Sequence, residues 1–288
     1  MLDQAQRLRQ LAQNTNADMP HKRGAKILTV TSGKGGVGKS NIVVNLAITL
    51  QRMNKNVLIF DADAGMGNDD ILMGFLPRYS IYDLLDGSKD IKEIIIKGPY
   101  GVRLIPGGSA LNKIQEFTES DRNIFLNKLS EIDDVDFIIM DTGAGISRSV
   151  LGFIACCEEL IIVTTPEPTS LTDAYSLLKA VNYFKLKKGA KVIINRVISE
   201  NEGRNTFNKF SNAAANFLKM NLEYLGNVTD DKKITLAVRQ QKPFVLSYPN
   251  CAASSDINNI AGKLAGSSNT KKSTNMETLF KKIFSIFS

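Results

Sequence analysis

The chain has 288 residues, of which 43% are hydrophobic and 23% are charged. These fractions are close to those of average globular proteins, and they exclude a disordered, collagenous or coiled-coil chain. No apolar run reaches the ~18 residues that a membrane-spanning helix needs, and the N-terminus MLDQAQRLRQ lacks the apolar segment of a secretory signal, so we expect a cytoplasmic protein.

The formal net charge of +7 is concentrated at the two ends of the chain. Residues 1–26 carry five basic and two acidic side chains, and residues 267–288 carry four basic and one acidic side chain. Each end therefore contributes +3, which leaves +1 for the 240 residues between them. A body this close to neutral gives no sign of an extended groove for an anionic polymer, so no specific nucleic-acid partner is expected.

Apolar, β-branched runs alternate with segments of helical period along most of the chain. Such runs are typical of buried parallel strands, and the alternation predicts an α/β, doubly wound, mostly parallel sheet of about seven or eight strands, with helices on both faces. The predicted strands are residues 27–31, 56–60, 102–105, 137–140, 160–164, 192–194 and 222–225. The predicted helices are residues 41–53, 118–131, 171–184 and 205–220.

One domain over residues 24–266 accounts for these elements. Residues 1–23 are expected to form a short N-terminal helix and a polar linker. Residues 267–275 are small, polar and basic, which is typical of a second linker. Residues 276–288 follow as a separate amphipathic helix.

The first glycine-rich segment, SGKGGVGKS, lies between the first predicted strand and the first predicted helix. Its spacing matches G-x-x-x-x-G-K-[ST], and its glycines let backbone N–H groups turn toward a polyphosphate at a helix N-terminus. We expect Lys39 to hold the β- and γ-phosphates and the Ser40 hydroxyl to bind Mg²⁺. The residues expected to bind the nucleotide in this loop are Gly33, Lys34, Gly35, Gly36, Val37, Gly38, Lys39 and Ser40.

The second lysine of the loop, Lys34, gives the segment KGGVGKS, which resembles the deviant Walker A motif of the MinD/ParA superfamily of P-loop ATPases. The resemblance implies ATP and Mg²⁺ as cofactors and a homodimer formed with ATP. It also implies that Lys34 acts in trans, on the phosphates of the partner subunit. The alternative is a solvated lysine without a catalytic role.

Two carboxylate segments follow predicted strands, where side chains face the crevice beside the phosphate loop. The segment DADAGMGN begins with Asp61, and the matching segment of the superfamily implies that Asp63 orients the attacking water while Asp61 supports Mg²⁺. Asp141 follows another strand at the Walker B position, which binds Mg²⁺ through a water or via Ser40. The alternative for the first segment is that its Asp, Gly and Asn residues only form turns.

Three further features refine this assignment. Asn195 ends the run VIIN and looks like the superfamily's adenine-reading asparagine, since its amide offers a donor and an acceptor; the alternative is a turn residue at a strand end. Gly143 and Gly145 predict a pliable switch after Asp141. The adjacent Cys156 and Cys157 form no CxxC pair, so no iron-sulfur cluster is implied.

The last thirteen residues have a complete amphipathic pattern. At ~100° per residue their apolar side chains fall within an arc of roughly 160°, with lysines on the opposite face. This pattern predicts a helix that inserts reversibly into an anionic membrane surface, similar to the membrane-targeting helix of MinD-type proteins. The residues expected to enter the membrane include Leu279, Phe280, Ile283, Phe284 and Phe287. The alternative is that the helix docks on its own domain or on a partner protein, and the two states could alternate with nucleotide.

The N-terminal segment DQAQRLR resembles the DQAxxLR activator motif of the flagellar MinD-like ATPases called FlhG, YlxH or FleN. The segments GKSN, DTGAGIS and TTPEPTSLTDAYSLLK are also similar to that family. The resemblance implies regulation of flagellar number or placement, stimulation of the SRP-type GTPase FlhF, flagellar switch (C-ring) proteins as further partners, and a peripheral position at the inner face of the membrane with ATP. The residues implied in FlhF binding are Asp3, Gln4, Ala5, Leu8 and Arg9.

Two other functions compete with this interpretation. One is a ParA-like ATPase that binds DNA during partitioning, and the near-neutral body and the apolar C-terminal helix argue against it. The other is a division-site regulator of the MinD type, and the DQAxxLR segment argues against that function.

Overall fold

The computed structural model describes residues 25–63, 67–79, 81–85, 87–107, 118–266 and 276–287. The predicted FlhF-binding segment and both predicted linkers therefore lie outside the described residues. Within the described residues, no helix is long and apolar enough to cross a membrane.

Eight strands form a single sheet. They are β1 (Lys26–Ser32), β2 (Val57–Ala62), β3 (Ile96–Lys97), β4 (Arg103–Pro106), β5 (Phe137–Ala144), β6 (Glu159–Thr164), β7 (Gly189–Val197) and β8 (Asn221–Thr229). Their spatial order is β3-β4-β2-β5-β1-β6-β7-β8, and every pair is parallel except β3 with β4. This arrangement confirms the predicted doubly wound α/β fold. The short edge strand β3 is the one that the sequence patterns did not predict.

Twelve α-helices are present in the described part of the chain. They are α1 (Lys39–Arg52), α2 (Asp69–Leu72), α3 (Ile81–Leu85), α4 (Ile91–Ile94), α5 (Glu119–Leu129), α6 (Arg148–Cys156), α7 (Pro168–Tyr183), α8 (Glu200–Ala213), α9 (Lys232–Arg239), α10 (Phe244–Ser247), α11 (Ala252–Gly266) and α12 (Met276–Phe287). The four predicted helices correspond to α1, α5, α7 and α8, and α8 continues as a π-helical turn over Ala214–Leu218.

Two predicted strand ends are wrong in a way that affects the site. β2 continues through Asp61, and β5 continues through Asp141 to Ala144. Both carboxylates therefore lie within hydrogen-bonded strands. The strands predicted from the apolar runs ended before these two residues. Pairing with the neighbouring strands holds the backbone of these polar residues extended, and apolar patterning carries no signal for that.

The sheet separates two apolar layers because successive strand residues point to opposite faces. Ile27, Phe60 and Ile138 belong to one layer, which α5, α6 and α7 cover. Leu28 and Ile59 belong to the other layer, which α1 and α11 cover. Both layers consist of buried apolar side chains, and burial of each large one contributes roughly 1.5 to 3 kcal/mol to folding.

The C-terminal helix α12 packs on the body, against α5 and α6. Leu279, Phe280 and Ile283 are fully buried there, and Phe284 is 4% exposed. Phe280 contacts the rings of Phe60 and Phe125 edge-on, each at a centroid distance of 5.0 Å. Four of the five residues predicted to enter a membrane thus form part of the protein core in this structure, which is the docked alternative; the side chain of Phe287 lies outside the described residues.

Candidate nucleotide-binding site

The phosphate loop leaves β1 at Ser32 and ends where α1 begins at Lys39. Gly36 has φ 76° and Gly38 has φ 91°, a left-handed conformation that glycine adopts without steric cost. Gly38 is also the N-cap of α1 and offers no side chain to cap it. The first N–H groups of α1 therefore remain available for an anionic ligand, together with the positive end of the helix dipole.

Gly33 is required for a different reason, which is close packing. A Cβ atom added there would lie 2.2 Å from the backbone carbon of Asp173 in α7. Any side chain at this position would push the loop away from α7. The first glycine of the motif thus sets the distance between the loop and that helix.

Lys39, the predicted phosphate-binding lysine, is buried and paired with a carboxylate. Its Nζ donates to Asp141 Oδ1 at 2.5 Å and lies 3.5 Å from Ser40 Oγ. Burial works against the charged ammonium, but the Asp141 carboxylate outweighs it, so the pKa of Lys39 is raised. The structure therefore brings together the predicted phosphate ligand and both the hydroxyl and the carboxylate that were predicted to bind Mg²⁺.

Asp61 and Asp141 lie side by side on neighbouring strands, directly paired in the register of β2 and β5. They are only 4% and 1% exposed. Burial, followed by the nearby Asp141 carboxylate, raises the pKa of Asp61 to about 7. The two buried carboxyl groups and the Lys39 ammonium, which pairs with Asp141, therefore lie together at one edge of the sheet.

Asp63, the predicted water-orienting residue, lies just beyond the end of β2. Its backbone N–H donates to Asp61 Oδ1 at 3.1 Å. A Cβ atom added to Gly143 would lie 3.3 Å from Asp63 Oδ1, so the carboxylate faces the segment predicted to be a switch. The Gly145 N–H donates to the carbonyl of Ser32 at 2.9 Å, which connects that segment to the start of the phosphate loop.

Lys34 contacts the N-terminal end of α7. Its Nζ donates to Thr169 Oγ1 at 3.0 Å and lies 3.4 Å from Glu167 Oε2. Its side chain is 40% exposed, in contrast to the buried Lys39. The two lysines of the loop therefore face different surroundings, and Lys34 remains accessible to a second subunit.

Asn195 lies at the loop but uses its amide on the protein itself. Its Nδ2 donates to the carbonyl of Val37 at 2.7 Å, whereas its buried Oδ1 has no hydrogen-bond partner. A Cβ atom on Gly38 would lie 2.3 Å from this Nδ2, which is a second reason for glycine at that position. Adenine recognition by Asn195 stays a prediction, and the unfilled acceptor Oδ1 is compatible with it.

Two residues of the site were missed from the sequence. Arg196 donates through Nη2 to the carbonyl of Gly36 at 2.8 Å. Asp69, at the start of α2, is fully buried, and burial together with the carboxylates of Asp141 and Asp61 raises its pKa well above the ordinary value. Neither residue belongs to a motif. The sequence indicated Arg196 only through its position directly after Asn195.

The donor set fits a magnesium ion associated with a nucleotide. Asp61, Asp141 and the Ser40 hydroxyl supply hard oxygen ligands, which Mg²⁺ prefers, and phosphate oxygens and water complete its shell in such sites. Among the described residues, no group of three or more His, Cys, Asp or Glu side chains is arranged to hold a metal ion by itself.

Similar proteins cover most of this chain. The family model AAA_31, an AAA domain, matches residues 25–194. The antiactivator FleN of Pseudomonas aeruginosa is 34% identical over 83% of this chain and 86% of FleN. The flagellum site-determining protein YlxH of Helicobacter pylori is 35% identical over 92% of this chain and 90% of YlxH. The solved structure of the cell division protein MinD of Aquifex aeolicus is 26% identical, has a TM-score of 0.67, and covers 86% of this chain and 100% of that chain.

The matched residues include the phosphate loop, Asp61 and Asp141, so the similarity and the geometry describe the same site. A glycine-rich loop, a buried lysine and strand-end carboxylates are the parts that P-loop enzymes use on nucleoside triphosphates. The chain belongs to the MinD/ParA-like family of P-loop ATPases and is an ATP hydrolase.

Proposed function

We propose that this chain is a MinD-like ATPase that dimerises with ATP, binds the membrane in that state, and regulates the number or placement of flagella. The observation that carries the flagellar assignment is its similarity over most of its length to FleN and to YlxH, a flagellum site-determining protein. ATP binding and hydrolysis supply the two states between which such a regulator switches.

The nucleotide part of the proposal starts from the Lys39–Asp141 ion pair. When Lys39 turns to the phosphates of ATP, the carboxylates of Asp61 and Asp141 lose their neutralising cation. Ser40, Asp61 and Asp141 would hold Mg²⁺, which would neutralise phosphate charge during hydrolysis. Asp63 accepts a hydrogen bond from the attacking water and orients it toward the γ-phosphate.

Dimerisation is assigned to the exposed lysine of the loop. Lys34 contacts Thr169 and Glu167 of its own subunit. These contacts are surface contacts, which contribute little to stability, so ATP bound in a second subunit can compete for the ammonium. Lys34 then bridges the two subunits at the phosphates and makes dimerisation depend on ATP.

Membrane binding is assigned to α12. Its apolar face packs against Phe60, Phe125 and the α6 helix in the docked arrangement, so it is unavailable to lipid there. Phe60 directly precedes Asp61, and α6 begins four residues after Ala144, so both contacts of α12 lie next to parts of the nucleotide site. ATP-dependent displacement of α12 from this groove would expose two copies per dimer, and two copies bind a membrane far more firmly than one.

A protein partner is assigned to the surface formed by the end of α7 and the adjoining π-helical turn. Tyr183 and Phe217 are 65% and 77% exposed there. Several exposed lysines lie near these two residues in the sequence, namely Lys179, Lys185, Lys188, Lys209 and Lys219. Exposed aromatic rings among cations fit an acidic segment with apolar anchors, and we assign this surface to a flagellar switch protein. The segment that carries Gln4 is assigned to FlhF.

The test of the proposal uses purified FlhF from the host of this chain. The full chain with ATP should accelerate GTP hydrolysis by FlhF, and Gln4→Ala should abolish the acceleration while leaving ATP hydrolysis intact.

In cells, Lys39→Ala should change the number or position of flagella counted by electron microscopy. Unchanged FlhF activity together with unchanged flagella would refute the flagellar assignment, and ATP-dependent DNA binding by the full chain would favour the partitioning alternative.

A further inference from the structure

Strand β7 ends in a bulge at the phosphate loop. Asn195 pairs with Val228 of β8 and Val197 pairs with Thr229, so Arg196 is an extra residue in β7. Arg196 has φ 57°, in the left-handed region that bulky side chains rarely adopt. Bulges of this kind change the direction in which a side chain points, and they are frequent beside active sites.

The bulge lets two neighbouring side chains reach the same loop. In a regular strand, adjacent residues point to opposite faces of the sheet. Here Asn195 donates to the carbonyl of Val37 at 2.7 Å, and Arg196 donates to the carbonyl of Gly36 at 2.8 Å. Two consecutive carbonyl groups of the phosphate loop are therefore fixed by two consecutive residues of β7.

The peptide geometry converts these contacts into an orientation of the loop N–H groups. In a planar trans peptide the C=O and the following N–H point in opposite directions. Holding the carbonyls of Gly36 and Val37 toward β7 therefore directs the N–H groups of Val37 and Gly38 away from it. An oxygen of bound phosphate needs donors that are oriented before it arrives, because reorienting them during binding costs affinity.

We propose that Arg196 is a positioning residue for nucleotide binding, which holds the Gly36 carbonyl so that the loop N–H groups face the phosphates. Its guanidinium acts through the loop backbone. Glycine or asparagine would adopt the left-handed conformation with less strain, whereas the arginine side chain supplies the hydrogen bond to the Gly36 carbonyl. Its hydrogen bond is assisted by charge, which makes it stronger than one between neutral groups.

The test separates the backbone conformation from the side chain. Arg196→Gly keeps the left-handed bulge and removes the guanidinium, whereas Arg196→Lys restores one cationic donor. The matched control is Lys185→Gly, because Lys185 has φ 56° but lies after α7, outside the loop and its contacts. Affinity for a fluorescent ADP analogue and the melting temperature without nucleotide are measured for all three variants and for the parent chain.

Arg196→Gly should weaken ADP binding roughly tenfold, as expected for loss of a hydrogen bond from a charged group, without lowering the melting temperature. Arg196→Lys should recover part of the affinity, and Lys185→Gly should match the parent. In steady-state hydrolysis, the KM for ATP of Arg196→Gly should rise by a larger factor than kcat falls. Parent-like ADP affinity in Arg196→Gly, or an equal loss of affinity in Lys185→Gly, would overturn the assignment.

Discussion

The ring of Phe280 in α12 meets the ring of Phe60 in β2 edge-on, with a centroid distance of 5.0 Å and an interplanar angle of 90°. Both side chains are fully buried. Phe60 is followed directly by Asp61, which pairs in register with Asp141. The C-terminal helix is therefore packed against the strand that carries a carboxylate of the nucleotide site, and a shift of that strand alters the surface on which the helix rests.

Release of α12 should be visible at a cysteine beneath it. Burial raises the pKa of Cys156 to about 12, and its neighbours include Lys282 of α12. The thiol is therefore almost fully protonated and shielded near pH 8, and exposure should lower its pKa toward the ordinary value and increase the reactive thiolate. Truncation after Gly266 should accelerate labelling of Cys156 by a thiol reagent at least tenfold, and ATP with the hydrolysis-deficient Asp63→Ala chain should do the same.

The internal control for this labelling is Cys251, which lies beside α11 in the other apolar layer. Peptide mass spectrometry in a Cys157→Ser background distinguishes the two cysteines. The labelling rate of Cys251 should not change with truncation or nucleotide. Equal acceleration at both cysteines would indicate general unfolding and would contradict release of α12.

Membrane binding should require ATP and the apolar face of α12. Vesicles that contain anionic lipid should co-sediment the chain with ATP and much less with ADP, because a single short helix binds marginally and two bind together. The double variant Phe280→Glu and Phe284→Glu should lose co-sedimentation and keep ATP-dependent dimerisation, since carboxylates on that face resist desolvation and are repelled by anionic headgroups.

The matched control for the double variant is Phe217→Glu, which makes the same kind of substitution at a position 77% exposed on the body. It should co-sediment like the parent chain. If the double variant still sediments with ATP, or if the parent ignores vesicles with either nucleotide, α12 is a helix that docks only on protein.

Asp63→Ala should slow ATP hydrolysis about 10²-fold, because the attacking water loses the carboxylate that orients it. Nucleotide affinity should be retained, since Lys39 and the loop N–H groups hold the phosphates. The ATP-bound dimer should therefore accumulate in size-exclusion chromatography. A parent-like hydrolysis rate would show that Asp63 does not orient the water.

Lys34→Ala should bind ATP but remain monomeric, because the ammonium that bridges the subunits is absent while Lys39 is intact. Sedimentation with a non-hydrolysable ATP analogue measures the dimer fraction, and nucleotide titration measures affinity. Lys188→Ala is the matched control, since Lys188 is an exposed lysine at the opposite end of the neighbouring helix α7 from the loop. An undiminished dimer in Lys34→Ala would rule out the bridging role.

The amino-acid sequence predicted seven of the eight strands, four of the helices between them, and the phosphate loop, because these depend on local patterns. Apolar β-branched runs predict buried strands wherever they occur, and glycine spacing predicts a loop that can surround phosphate. The sequence also predicted that Asp61 and Asp141 face the crevice beside the phosphate loop, since the carboxyl ends of parallel strands share one edge of the sheet. Their place inside the strands was not predicted, because pairing with neighbours extended β2 and β5 over polar residues.

The tertiary structure decided the contacts that join distant parts of the chain. The amphipathic pattern of α12 predicts an apolar face. Either lipid or the groove beside Phe60 can bury that face equally well, and only the packing of the body shows that such a groove exists. The role of Arg196 likewise depends on a bulge that β8 imposes on β7, which no local pattern encodes. Local sequence determines which groups must be buried or must bind phosphate. Their contact partners lie more than a hundred residues away in the chain, so the three-dimensional arrangement determines which partners they have.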